Sequence, residues 1–356
     1  MSAIQRVRGA VGVALLMILA LPAVAQFGTW SKAAEFPEPE EELYGIAAGG
    51  KMYVMGGYGE GGKPVGMVWE YDPATDHWAK KKTMPVPVHH QAMAEYQGKI
   101  YVFGGFKLYP VPNGLGGWEP VTDSWEYDPA TDNWKSLAPM PTRRGSAIAQ
   151  TVNGKIYVIG GSTMHPGSKE PAVWPNRPAR SVGTNEMYDP ATNKWTERQS
   201  MPTARNHAFS GMVNGKIYVI GGRVGSPWII VSSNTDIVEE YDPATDQWGK
   251  IMTPMPTPRS GGGCATYNGK IYVAGGELQT RAMLAAFRAL EAYDPATNTW
   301  EKLPPMPYPR HGVAAAFFGN HLHLVSGKIV SGGAPDVQLS TKSHDVYTVP
   351  EEQSAR

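Results

Sequence analysis

Hydrophobic and polar positions along this chain fall into one block that recurs at a spacing close to fifty residues. The block from Met201 to Trp248 shows its parts. An alternating run, His207-Ala-Phe-Ser-Gly-Met-Val213, leads to Asn214-Gly215 and then to the apolar run Lys216-Ile-Tyr-Val-Ile220. β-Branched and aromatic residues dominate these runs, which predicts short strands. Asn-Gly between two such runs predicts a tight hairpin, because both central residues of that turn take positive φ. Gly221-Gly222 ends the second strand, a variable loop follows, and a third strand ends at Tyr241-Asp-Pro243. There Asp242 is placed to accept backbone amides and Pro243 presets φ for the turn. A fourth strand carries Trp248 and stops at Met255-Pro256.

Four antiparallel strands make one twisted sheet, which is marginal alone and must bury its faces on its neighbours. The Gly-Gly pairs at 56–57, 104–105, 160–161, 221–222 and 275–276 mark five such units. Radial repetition of the sheet predicts a β-propeller. Trp78, Trp134, Trp195, Trp248 and Trp300 each follow an Asp-Pro-Ala-Thr turn, whereas Trp30 precedes every other signal. A sixth unit runs from Arg310 through a degenerate Ser326-Gly327 to Val349 and ends without a tryptophan strand. The missing outer strand is therefore assigned to the segment around Thr29 to Ala34. The expected fold is all-β: six blades of four antiparallel strands, closed by the N-terminal strand. Closure of this kind removes the sheet edge that invites aggregation. One tryptophan per blade, fully buried between adjacent sheets, would supply on the order of 5 kcal/mol before entropy. The repeated Gly-Gly, Tyr-Asp-Pro and spaced Trp resemble the kelch-repeat family over nearly all of 28–349. That resemblance implies a propeller. It leaves the role open, since kelch propellers include protein-binding modules, sugar oxidases and a sugar mutarotase.

Residues 1–25 read as a leader. Arg6 and Arg8 precede the apolar run Gly9 to Leu21, and Ala23-Val24-Ala25 fits a cleavage site. The run is too short for a comfortable membrane span. Export to the periplasm or outside the cell is expected, with no stable membrane insertion after cleavage and residues 26–356 as the propeller. Cys264 is the only cysteine, so no intramolecular disulfide forms. It falls in an expected innermost strand and reads as a small buried hydrophobe. The chain holds 32 Lys+Arg against 32 Asp+Glu, and losing the leader makes the remainder slightly acidic. That argues against nucleic-acid binding, which needs a basic face. A monomer is expected, with no cofactor.

Strand order assigns the loops to two faces. The tight hairpins and the Asp-Pro-Ala-Thr turns share one face. The variable loops (106–121, 162–183, 223–236 and 277–289) share the other with the blade-to-blade connections, and function is expected there. Residues 282–289 within the last of these read as a short helical turn.

Where each blade begins, Arg144, Arg205, Arg259 and Arg310 align, with Glu40 and Val88 at the same register in the first two units. Four guanidiniums converging at the channel mouth would form an electropositive funnel suited to carboxylates or phosphates. Kelch modules that bind acidic peptides use arginines at this step of the repeat, which the resemblance carries to these four positions. The alternative is that each arginine bonds its own repeat. Two positions on, Glu42, His90, Ser146, His207, Gly261 and Gly312 align. Glu42, His90 and His207 are candidates for ligand or acid–base work, and no metal is expected. Trp118 and Trp174 could stack on a ligand at the loop face or fold down as local core.

The leading expectation is a secreted binding module for an acidic glycan or an acidic protein segment at the loop-face mouth. The resemblance also implies a sugar-active enzyme, such as a sialic acid mutarotase, with Glu42, His90 and His207 as acid and base. A galactose oxidase-like copper enzyme would need Cys264 crosslinked to a tyrosine, and no aligned His–Tyr set accompanies it.

Overall fold

Strands form where the apolar runs predict them, and the turn chemistry sets their order. The computed structural model describes residues 27–351 apart from 60–61, 111–115, 178, 281 and 333–338. The leader expected at 1–25 lies outside the described residues. Six four-stranded antiparallel sheets surround a central channel. Innermost strands are Glu41–Ala48, Ala92–Tyr96, Ile148–Val152, Phe209–Val213, Gly263–Tyr267 and Ala314–Phe318, for blades one to six in turn. Both residues of each Asn-Gly turn take positive φ, for example 50° and 76° at Asn214 and Gly215. In blade six the outermost strand is Thr29–Lys32, paired antiparallel with His344–Thr348 so that Trp30 faces Tyr347. The ring is closed by its own N-terminal strand, as the tryptophan count predicts.

The Tyr-Asp-Pro tyrosine carries the core that the sequence pattern assigns to tryptophan. Tyr127, Tyr188, Tyr241, Tyr293 and Tyr347 are among the largest side chains with no exposure to speak of. Among the repeat tryptophans only Trp78 is buried, and the others are half-covered at the sheet edge. They lie tilted on the tyrosines with ring centroids 4.9–5.1 Å apart. What the tryptophans supply instead is a clamp between blades. Trp248 Nε1 donates to the Gln199 carbonyl of the preceding connection at 2.8 Å, and Asp246 Oδ1 accepts the Gln199 amide at 2.9 Å. The same reciprocal pair binds Ala34, Lys82, Ala138 and Thr253. Each acceptor also takes the core tyrosine hydroxyl, as Tyr241 Oη does to Asp246 at 2.6 Å. Its backbone is left-handed, at φ 50–56° across the five turns. A short polar side chain tolerates that conformation because it bonds locally. Trp30 completes the series by donating to Pro304 at 3.2 Å.

Second-to-third loops in blades two to five fold into two-stranded ribbons on the loop face. In the fifth, Leu284–Ala286 pairs with Glu277–Gln279. The helical turn expected over 282–289 is thus a strand, because the ribbon supplies backbone partners that an isolated short turn of helix lacks. No helix among the described residues is long and apolar enough to cross a membrane.

Candidate functional site

The six aligned positions at the head of the innermost strands form a ring at the loop-face end of the channel. Ser146 N–H donates to His90 O at 2.8 Å, His207 to Ser146 at 3.1 Å and Gly261 to His207 at 3.1 Å. Gly312 follows, donating to Gly261 at 2.7 Å, and Leu43 returns to Gly312 at 3.1 Å. All four non-glycine ring residues lie in the left-handed region, with φ of 57°, 57°, 56° and 50° at Glu42, His90, Ser146 and His207. Gly261 and Gly312 take φ 66° and 60°. A Cβ on Gly312 would stand 2.3 Å from the Glu42 nitrogen, so the last position has no room for a side chain.

Three side chains of the ring meet. His90 Nε2 lies 3.1 Å from Glu42 Oε2, and the His90 and His207 rings pack edge to face at 4.5 Å. Asn206 Oδ1 accepts His207 Nδ1 at 2.5 Å, which turns Nε2 toward Ser146 Oγ at 3.4 Å. Glu42, His90 and His207 are all buried. Burial opposes ionisation of Glu42, yet His90 and then His311 hold its carboxyl below the usual carboxylate range. Burial, reinforced by Arg223, pushes His207 well below the ordinary imidazole range.

A second tier of charge sits beside the ring. The residue after the paired glycines, or after Ser326-Gly327 in blade six, bridges the residue just before the ring position: Arg223 to Asn206, Glu277 to Ser260 and Lys328 to His311. Arg223 Nη1 donates to Glu277 Oε1 at 2.8 Å, while Ser331 Oγ and the Gly332 amide donate to Oε2 at 3.0 and 2.8 Å. Lys328 pairs with Glu41 at 3.3 Å, and His311 faces Glu41, Glu42 and Glu277 at 3.4, 3.6 and 3.8 Å. Burial disfavours charge on His311, but Glu277, then Glu41 and Glu42, raise it to about 9. Glu277 is held at about 2 against its burial, by His311 and Arg223. Glu277 and Lys328 are functional candidates absent from the sequence reading. Their signal was the position directly after Gly-Gly, where the other repeats place Phe106 and Ser162.

The four aligned arginines do not form the expected funnel. Arg144, Arg205, Arg259 and Arg310 are 0–1% exposed. Each turns into its own blade and pairs with a third-strand acid: Glu186 at 2.5 Å, Glu239 at 3.0 Å, Glu291 at 2.5 Å and Asp345 at 2.6 Å. Each also donates to second-strand or strand-end carbonyls, Val158, Val219, Val273 and Ser326. Burial lowers Arg205 and Arg310 to about 10, against the pull of Glu239 and Asp345. They remain charged at neutral pH, with that charge already matched inside the sheet. The repeat itself consumes them.

Trp118 is also taken by packing. It lies in a small core with Phe106, Met164 and Val173, stacked on Trp228 at 4.0 Å and covering His90 at 4.9 Å. Trp174 is half-buried, with Tyr109 edge-on at 6.1 Å and the Arg177 guanidinium 5.9 Å above its ring. Below the ring, a cavity of about 460 Å³ follows the innermost strands from Ser146 and His207 to Glu95, Thr151 and Thr266 at the turn face. Cys264 lines it. Its sulfur lies 3.3 Å from both the amide and the carbonyl of Ser210, and burial raises the thiol to about 11. A thiol so held is protonated and unreactive at neutral pH.

Comparison with known proteins agrees with this architecture. Residues 26–199 and 178–327 match the model of the KLHDC2/KLHL20/DRC7 Kelch-repeats domain. Kelch-like protein terF of Aspergillus terreus is 32% identical over 303 residues, covering 83% of this chain and 62% of that protein. Human Kelch-like protein 23 is 28% identical over 280 residues, covering 78% of this chain and 44% of that protein. This chain thus spans less than two thirds of the length of these relatives. Among solved structures, that of YjhT superposes with a TM-score of 0.68 at 19% identity, over 90% of this chain and all of the other. With the repeat signatures, the inter-blade clamps and the closing strand in place, the chain belongs to the kelch-repeat family.

Proposed function

We propose that this propeller is a protein-binding module whose partner lands on the loop face, over the neighbouring loops of blades four and five. Protein binding is one of the roles that membership of the family brings with it. The observation that carries the reading is a set of exposed apolar side chains on those loops. Ile230 and Val231, in the 3₁₀ turn Ile229–Val231, are 49% and 52% exposed, and Met283 and Leu284 are 48% and 42% exposed. The 3₁₀ turn packs on the strand Glu277–Gln279, whose partner strand begins at Leu284, so both pairs belong to one surface. Asn234 ties the two loops by donating to the Glu277 carbonyl at 2.7 Å. Apolar side chains held out by ordered backbone mark an interaction site rather than core.

An acidic glycan or acidic peptide at the mouth was expected from four arginines that are instead matched by acids within their blades. The partner proposed here therefore offers apolar anchors, and charge is secondary. The leader read at 1–25 supports an encounter outside the cytoplasm, and N-terminal sequencing of the exported chain should begin at Gln26. A displayed-peptide selection on the mature chain tests the reading. Selected peptides should carry apolar anchors and lose at least about 1.4 kcal/mol, tenfold in affinity, against Ile230→Asp with Leu284→Asp. Peptides that bind this variant as tightly as the parent chain would remove the assignment.

A further inference from the structure

We propose that Glu42, His90 and His207 form a site for one divalent first-row transition metal, with an open position facing down the channel. Two imidazoles and a carboxylate are a donor set for zinc-type ions, which favour N and O ligands at about 2.0–2.2 Å. Around such an ion, neighbouring donors stand about 3.3 Å apart when the geometry is tetrahedral. Here one donor atom from each of the three residues lies within 4.8 Å of the other two, and Glu42 Oε2 and His90 Nε2 already stand at 3.1 Å.

Three further observations favour this trio. The Asn206 carboxamide holds His207 Nδ1 at 2.5 Å and so presents Nε2 inward, which is how a partner behind the ring orients a ligating histidine. The ring backbone is left-handed at all six blades, where a non-glycine residue costs about 1–2 kcal/mol. Two blades place glycine there, while Glu42, His90, Ser146 and His207 accept the strain, and strain of that kind collects where side chains have a task. Finally, the cavity of about 460 Å³ reaches His207 and Ser146 from the turn face, which brings it to one of the three donors. The neighbouring trio of Glu42, Glu277 and His311 is also within 4.8 Å. Its Glu277 carboxylate, however, already accepts Arg223 on one oxygen and Ser331 and the Gly332 amide on the other. We assign that trio to the ion-pair network, which brackets Glu42 from the far side. The sequence reading expected no metal because aligned histidines recur in this repeat. Convergence of two of them on one carboxylate is a product of ring closure.

The test uses the untagged full-length chain, stripped with chelator and titrated with Co²⁺, whose visible d–d absorption reports coordination. One Co²⁺ should bind per chain and be displaced by Zn²⁺. His207→Gln and Glu42→Gln should each weaken binding by about 100-fold or more, while His321→Gln, an exposed imidazole at a strand edge, leaves it unchanged. Each variant is first checked for a cooperative melt, so that loss of the fold is not taken for loss of the ion. Two near-isosteric variants keep the test open should one of them not fold. Substoichiometric binding by the parent chain, or binding that survives both His207→Gln and Glu42→Gln, overturns the site. Ile230→Asp with Leu284→Asp should bind Co²⁺ as the parent does, which separates this site from the loop-face surface.

Discussion

Blades three to six and blades one and two fill the same register position in opposite ways. The later four blades hold an arginine at the head of the innermost strand and an acid two residues before the core tyrosine: Glu186 before Tyr188, Glu239 before Tyr241, Glu291 before Tyr293 and Asp345 before Tyr347. Where the arginine is absent, so is the acid. Blade two has Val88 and Trp125, and blade one has Glu40 and Trp69. Val88 and Trp125 pack into one apolar cluster, and Trp69 Nε1 donates to Glu38 at 3.1 Å. One molecule thus contains both a buried ion pair and its apolar replacement in equivalent sheets, consistent with the two being close in net stability. The charges that remain for function are those outside the repeat grammar, Glu41, Glu42, Arg223, Glu277 and Lys328.

The largest effect should come from breaking this correspondence. Val88→Arg alone buries a guanidinium with no acid opposite, and Arg259→Ala strands Glu291. Each should cost about 3–5 kcal/mol in urea unfolding. If Arg259→Ala is nearly neutral, the arginines are not the structural pairs inferred here. Replacing both partners, Arg259→Leu with Glu291→Leu, should recover most of the loss, leaving about 1–2 kcal/mol from imperfect packing. A double variant as unstable as the single one would mean that the charged pair is itself required.

A smaller effect sharpens the comparison by showing what the two classes share. Trp134→Phe in blade two and Trp248→Phe in blade four each remove one inter-blade hydrogen bond while keeping an aromatic ring. Both should lose about 1 kcal/mol, and a marked difference would show that the clamp depends on the arginine pair.

A pH-dependent effect lies at the seam where blade six meets blade one. His323 and His344 bond each other at 2.8 Å beside Tyr71. Burial pushes them down to about 3 and about 4. The unfolded chain takes up protons near 6.5 while the folded one resists, so their contribution is complete above that pH. It shrinks as pH falls toward 4 and 3. The urea midpoint should drop between pH 7 and 4.5, and His323→Phe should flatten that drop. An unchanged slope would assign acid sensitivity elsewhere.

How much of this was legible before the fold depends on the range of the interaction. Asn-Gly turns, Gly-Gly breaks, Tyr-Asp-Pro ends and the stray Trp30 are local or periodic signals, and they were enough for six blades, the closing strand, the two faces and the six ring positions. The same alignment also carries the reason the arginines are structural. The acid two residues before the tyrosine appears only in the units that have the arginine, and that pairing marks the arginines as structural. Side-chain direction was beyond the sequence. Arg144 and Glu42 stand two positions from equivalence at the head of their strands, but one turns into its sheet and the other into the channel. Only the closed ring decides this, because the ring positions are brought together by a backbone hydrogen bond from one blade to the next. That bond joins residues roughly fifty positions apart, and no local pattern encodes which side chains it will bring face to face.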